Sequence, residues 1–108
     1  MANPMKIRAL AREGGAEGRL TEVRVQMAHD METGQRRDEA GALVPAWYIT
    51  DLVATHNGRV VLQAEFGTAV SRDPYLSFRF RGGARGDRVV LTWRDNRGDS
   101  RTDEVLVT

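Results

Sequence analysis

Residues 27–49, MAHDMETGQRRDEAGALVPAWYI, combine the side chains of this chain that could support chemistry. The stretch holds His29, one of two histidines, together with four acidic residues, two adjacent arginines and the aromatic pair Trp47-Tyr48. Imidazole with carboxylates can bind a metal, whereas arginine and aromatic residues beside a polar rim are typical of protein interfaces. The stretch is therefore a reactive site, a docking surface or a long connecting loop.

The residue types and spacings argue against catalysis and against a metal site. His29 with Asp30 or Glu32 is the metal alternative, but no second histidine stands at ligand spacing, so we favour a histidine that caps or hydrogen-bonds the loop. GGARG (82–86) lies between strands with no helix to follow, unlike a phosphate loop. The three serines weighed as nucleophiles lack an elbow motif: Ser71, Ser77 and Ser100. We predict no catalytic, metal-ligating or cofactor-binding residue, and we interpret His56 as a solvated turn residue.

Composition excludes further classes of protein. With 0 cysteines, disulfides, thiolate metal sites and a cysteine nucleophile are impossible. The net charge of +1 and pI of 8.3 fall short of a typical nucleic-acid-binding domain. No apolar run approaches the ~20 residues of a membrane span. Only Lys6 among the 16 basic residues is a lysine, for which we favour codon bias over a selected anion-binding surface.

Alternation with a period of two dominates the chain and predicts strands with one buried and one wet face. WYITDLVATH (47–56) differs, because apolar residues occur on both sides: Trp47, Ile49 and Val53 on one, and Tyr48, Leu52 and Ala54 on the other. It predicts a central strand or one whose second face meets a partner. The remaining predicted inward sets are Met5, Ile7 and Ala9; Val23, Val25 and Met27; Val60, Leu62, Ala64 and Phe66; Leu76, Phe78 and Phe80; Val89, Leu91 and Trp93; and Val105 and Val107.

Glycine-containing turns separate these strands. Asn57-Gly58 is a strong hairpin signal, since a type I′ turn needs positive φ at both central residues. About seven short strands at such spacing predict an all-β fold, an immunoglobulin-like antiparallel β-sandwich, as a single domain over residues 1–108. The segment 29–48 is long for a hairpin connection, and we predict a docking role for it. For Trp47, the pattern favours an interface role and packing in the core equally.

The segments HDMETGQRRDEAGALVPAWYI (29–49), AVSRDPYLSF (69–78) and DNRGDSRTDE (95–104) resemble the Z subunit of the bacterial Sox sulfur-oxidation carrier complex, and the resemblance covers nearly the whole chain. It implies a non-catalytic sandwich subunit that pairs as a heterodimer with a Y subunit. In that family the Y subunit carries thiosulfate-derived intermediates on a cysteine in a flexible C-terminal arm. A c-type cytochrome, a sulfate-releasing hydrolase and a sulfane dehydrogenase act on them in turn.

The resemblance also bears on location and on the residues that meet partners. It implies the periplasm, although the N-terminus lacks a secretory apolar stretch and alone indicates the cytoplasm; co-export with the Y subunit reconciles the two. We predict no nucleic-acid or membrane partner, and a homo-oligomer when the chain is isolated. The alternative is a stand-alone β-sandwich binding module.

The candidate interface residues are His29, Met31, Glu32, Arg36, Arg37, Asp38, Trp47, Tyr48, Ser71, Pro74 and Tyr75. Turn or entry roles are assigned to Gly34, Gly41 and Pro45.

Overall fold

The computed structural model describes residues 2–13 and 18–108. These residues form seven strands: β1 (Lys6–Glu13), β2 (Arg19–Gln26), β3 (Ile49–His56), β4 (Arg59–Glu65), β5 (Tyr75–Arg81), β6 (Arg88–Asp95) and β7 (Ser100–Leu106). Among the described residues, none belongs to a helix long and apolar enough to cross a membrane. Every named strand pair is antiparallel.

The strands form two sheets that face each other across one core. One sheet has the order β1-β2-β5 and the other β4-β3-β6-β7. Among the largest fully buried side chains, Trp93, Ile49, Leu52 and Leu91 lie on the four-stranded sheet, and Met27 directly follows β2. The all-β sandwich prediction is confirmed, and β3 is a central strand as predicted.

Period-two alternation correctly gave the buried face of most strands. Val89, Leu91 and Trp93 on β6 are at most 1% exposed, while Val105 and Val107 turn inward at the end of the chain. The same pattern holds on β1, β2 and β5 because each of these strands pairs without a register shift.

Two register shifts make the alternation fail on β3 and β4. The β3–β6 pairing shifts between Ile49 and Asp51, so Ile49 shares the buried face with Leu52 and Ala54 instead of opposing them. The prediction that Ile49 and Val53 lie on one face is therefore wrong. An extra residue shifts every later side chain to the other face.

On β4 the shift between Ala54 and Thr55 has the same effect. Val60 pairs with Thr55, on the outer face, and is 51% exposed, so its predicted place beside Leu62 is wrong. Val61 packs against the core instead.

The β3–β4 turn uses Asn57 and Gly58 at φ +48° and +87°, as the sequence predicted. The interpretation of His56 as a solvated turn residue is wrong. His56 ends β3 half-buried, with Nε2 2.7 Å from Asp87 Oδ2 and its ring 4.8 Å from that of Phe80. The side chain thus joins β3 to the turn before β6.

Residues 32–47 form an irregular hairpin, the arm, between β2 and β3. Isolated antiparallel bridges pair Glu32 with Trp47 and Arg37 with Leu43. The Cα radius of gyration is 16.1 Å, above the ~13 Å typical of a chain this long. Residues 35–43 are all exposed, so the arm projects from the sandwich.

Candidate partner-docking site

The base of the arm is built around His29. This side chain is buried, and its Nδ1 accepts a hydrogen bond from the Met31 amide at 3.0 Å. Because Nδ1 accepts, the proton lies on Nε2, which donates to Asp95 Oδ2 at 3.1 Å. Both ring nitrogens are engaged inside the protein, so the prediction of a hydrogen-bonding histidine is confirmed. In the described ranges, no group of three or more His, Asp or Glu side chains is arranged to hold a metal ion.

Asp95, the last residue of β6, is the acceptor on which the base of the arm converges. Its Oδ2 also accepts from Trp47 Nε1 at 2.8 Å, and its Oδ1 accepts from the amides of Arg97 and Asp99. Burial alone raises the pKa of the Asp95 carboxyl, but the hydrogen bonds from Trp47, His29 and the two amides outweigh it and lower the pKa below its ordinary value. A charged carboxylate thus joins the arm to the β6–β7 turn.

Aromatic packing surrounds the same carboxylate. The His29 ring lies 4.8 Å from that of Trp47 and 5.3 Å, edge-on, from that of Trp93. Arg97 lies over the Trp47 ring, with Cζ 4.3 Å from the ring centroid. Trp47 therefore contacts both the histidine ring and a cation.

Met31 is held in an unusual backbone conformation at the first step of the arm. Its φ is +54°, a left-handed value that costs a non-glycine residue about 1 kcal/mol. Its sulfur accepts a hydrogen bond from the buried Ile49 amide at 3.3 Å. Ile49 lies where β3 shifts register, so the strain and the shift occur together at the base of the arm.

The other side of the arm is fastened to the β6–β7 turn by Asn96. Its side-chain oxygen accepts from the Tyr48 amide at 2.9 Å, and its amide nitrogen donates to the Ala46 carbonyl at 2.8 Å. The Asn96 backbone amide donates to the Tyr48 carbonyl at 3.1 Å. Asn96 thereby fixes the returning strand of the arm to the β6–β7 turn.

Beyond its base the arm is stabilised by its own residues. Arg36 donates to both carboxylate oxygens of Glu32, with the Nη2–Oε2 distance 2.6 Å. Asp38 accepts from the amides of Ala40 and Ala42 and closes the tip. In the part of the chain that the structure describes, the hydrogen bonds of residues 35–43 all join residues of the arm. The arm is thus a preformed projection and not an unstructured loop.

The segment before β5 lies beside the start of the arm. The Asp73 amide donates to the His29 carbonyl, and Asp73 Oδ1 accepts from the His29 amide. Arg72 forms an exposed ion pair with Asp30 at 3.1 Å. The sequence singled out both segments, and the structure brings them together although His29 and Asp73 are 44 positions apart.

The predicted interface residues divide into buried and accessible sets. His29, Met31 and Pro74 are buried, and Glu32, Trp47 and Tyr48 are half-buried. The exposed members are Arg36, Arg37, Asp38, Ser71 and Tyr75. Buried His29 and Met31 lie at the base of the arm, whereas the exposed set is accessible to a partner.

Sequence reasoning missed the residues that hold the arm from a distance, namely Asp95, Asn96 and Arg97. DNRGD signalled only a glycine turn, and nothing local links it to His29, 66 positions away from Asp95. Leu43 was missed as well: it is 54% exposed on the arm, flanked in sequence by small and apolar residues that gave no sign of exposure.

Comparison with known families adds to this geometry. A family model described as "Sulphur oxidation protein SoxZ" matches residues 7–106, nearly the whole chain. No curated protein matches. The match spans all three segments that carried the resemblance.

Proposed function

The chain belongs to the SoxZ family of sulphur oxidation proteins, and on that basis we propose that it is a non-catalytic subunit of a sulfur carrier. It pairs with a Y subunit whose C-terminal cysteine holds the sulfur intermediates. The partner supplies the reactive thiol, and this chain supplies a rigid surface that holds and presents it.

The chemistry of sulfur attachment supports this division of roles. A covalent bond to thiosulfate-derived sulfur requires a thiolate, and the sequence contains 0 cysteines. Both histidine side chains are also hydrogen-bonded to aspartates, His29 to Asp95 and His56 to Asp87. These side chains act as structural links between elements.

The observation that carries the proposal is the arm. It projects with an ordered backbone and presents Arg37 and Leu43 on exposed positions. An exposed leucine among arginines and a polar rim has the composition of a protein interface. Because the arm is already ordered, binding a partner loses little conformational entropy in the arm.

The same proposal includes the visiting enzymes and the compartment. The paired carrier meets the c-type cytochrome, the hydrolase and the sulfane dehydrogenase of the pathway in turn. It works in the periplasm, which this chain reaches in company with the Y subunit. Transient encounters of this kind need surfaces that remain free after the two subunits have paired.

Co-expression with a Y-type chain from the same organism tests the proposal. We expect a one-to-one complex by size-exclusion chromatography with light scattering at micromolar concentration. A variant in which residues 35–43 are replaced by a two-residue Asn-Gly turn should remain folded and lose the partner, because the base of the arm stays intact. Two independent monomers of the unaltered chains would contradict the proposal.

A further inference from the structure

The outer face of the β1-β2-β5 sheet carries a concentration of positive charge. Strand pairing places twelve outward side chains on it: Lys6, Arg8, Leu10, Arg12, Leu20, Glu22, Arg24, Gln26, Tyr75, Ser77, Arg79 and Arg81. Six are cations and one is a carboxylate, which gives this basic face a formal charge of +5. The rest of the chain holds ten cations and fourteen carboxylates, or −4. The near-neutral total conceals this separation.

The single carboxylate of the face organises three of its arginines. Glu22 is only 5% exposed although it points outward, because Arg12, Arg24 and Arg79 surround it at 2.8, 2.8 and 4.0 Å. The hydrogen bond from Arg24 lowers the pKa of Glu22, and Arg12 and Arg79 add to this effect against the opposing influence of burial. The guanidinium groups are thereby held in place before any partner arrives.

Among the residues that the structure describes, no carboxylate surrounds the remaining cations of the face in this way. Arg8 lies directly opposite Arg24 across the β1–β2 pair. Like charges in that position are destabilising. Within the described ranges, Lys6, Arg8 and Arg81 take part in no ion pair. These cations are therefore accessible to an external anionic partner.

We propose that the basic face docks the acidic surface of a visiting protein, separately from the arm that holds the carrier subunit. This inference rests on the proposed function for the identity of the visitor. Electrostatic docking of this type raises association rates and remains reversible, as an enzyme that must arrive and leave requires.

The composition of the face favours a protein over a nucleic acid. Its centre is the Glu22 carboxylate, which repels phosphates, and Leu10, Leu20 and the 59% exposed Tyr75 lie among the arginines. Arginine with tyrosine and leucine is the mixture found in protein interfaces, whereas phosphate binding needs unopposed cations.

The test uses the carrier complex with each of the three Sox enzymes from the same organism as probes. Binding is measured by surface plasmon resonance at 20 and 200 mM NaCl. The face variant is Arg8→Glu with Arg81→Glu, and the control is Arg59→Glu with Arg94→Glu. All four positions are exposed, and the control pair lies on the other sheet with the same change in charge. We expect the face variant to remain folded, because Arg8→Glu replaces the repulsion between Arg8 and Arg24 with an attraction.

We expect at least one enzyme to bind, with an affinity that falls about tenfold or more between the two salt concentrations. The face variant should weaken that binding by about tenfold and the control by less than about twofold. The proposal would be overturned if the two variants weakened binding equally, or if the affinity did not depend on the salt concentration. So would tighter binding of a 20-base-pair DNA duplex or of anionic phosphatidylglycerol vesicles than of any enzyme.

A second measurement separates this proposal from the proposed function. The isolated chain is titrated with poly-L-glutamate, which needs no carrier subunit. Salt-sensitive binding that the face variant loses supports the basic face even if no Y-type chain pairs with the protein. Absence of binding, or its retention in the face variant, counts against the basic face even if the carrier complex forms.

Discussion

His29 donates a hydrogen bond from Nε2 to Asp95 Oδ2 at 3.1 Å, between side chains that are 1% and 0% exposed. This contact joins the residues that lead into the arm to the end of β6. Asp95 also accepts a hydrogen bond from Trp47 Nε1, so one carboxylate holds the chain on both sides of the base of the arm. The orientation of the proposed docking surface therefore depends on residues that a partner never touches.

Replacing Asp95 with alanine should strongly destabilise the protein. The change leaves the side-chain donors of buried His29 and half-buried Trp47 and two backbone amides without their acceptor, so we expect a loss of about 3–5 kcal/mol in the free energy of unfolding. Urea denaturation followed by tryptophan fluorescence measures it. The control Glu65→Gln alters an exposed residue of β4 and should stay within about 0.5 kcal/mol of the unaltered protein. Equal stability of the two variants would contradict the structure.

Stability should fall on acidification. The folded-state pKa values of Asp87, Asp95 and Asp103 lie below the ordinary 3.8. The hydrogen bond with His56 is the largest cause for Asp87, and the hydrogen bond from Arg101 is the largest cause for Asp103. At Asp95 burial raises the pKa, but the hydrogen bonds that the carboxylate accepts outweigh burial and lower it. As the pH falls towards 3.8, these carboxyls take up protons in the unfolded chain before they do so in the folded protein. The stabilisation they provide is therefore complete above about pH 5 and is lost as the pH falls through their folded-state pKa values.

Urea denaturation between pH 2 and 7 checks this dependence. An Asp95→Asn variant should lose part of the acid-induced decline, since one of the shifted carboxyls no longer titrates. A stability that rises as pH falls from 4 to 2 would show that the carboxylates are not held as described.

Gly83, in the β5–β6 turn, should tolerate no side chain. Its φ is +89°, and an added Cβ would lie 1.9 Å from Thr21 Oγ1, whose hydroxyl donates to the Gly82 carbonyl. We expect Gly83→Ala to lower the free energy of unfolding by about 2–4 kcal/mol, through overpacking added to backbone strain. Gly41→Ala is the matched control, with φ +83° and no atom within 4 Å, and should cost about 1 kcal/mol. Equal losses in thermal denaturation would mean that the contact with Thr21 is unimportant.

Leu43 should be a binding residue and not a stability residue. Leu43→Asp places a charge on the proposed interface, so we expect binding of the Y subunit to weaken by about 2 kcal/mol or more in isothermal titration calorimetry. Leu106→Asp is the control, because Leu106 is also 54% exposed but lies at the end of β7. Both variants should melt near the unaltered protein. If Leu106→Asp weakens binding more than Leu43→Asp does, the Y subunit binds the four-stranded sheet and not the arm.

The sequence predicted the sandwich because alternation and turn chemistry are local signals. The inward sets of β6 and β7 follow directly from them. The faces of Ile49 and Val60 were predicted wrongly, since the register shifts near them depend on partner strands. One shift coincides with the Met31 sulfur accepting from the Ile49 amide, a contact across 18 positions.

The candidate site shows the same division between local and distant information. The arm could be singled out from its charges and aromatic residues, and the hydrogen-bonding role of His29 was predicted correctly. Its acceptor, Asp95, was not predicted, because it lies 66 positions along the chain and no local pattern joins the two residues. The basic face was hidden for a similar reason: its cations lie on three strands, and the overall charge of +1 masks them.

Native mass spectrometry of the co-expressed chains, after loading with thiosulfate by the c-type cytochrome, is the most direct test of the carrier role. We predict a one-to-one complex whose entire added mass resides on the Y subunit, with this chain released at its unmodified mass. Separate chains, or a sulfur adduct on this polypeptide, would contradict the proposal at its centre.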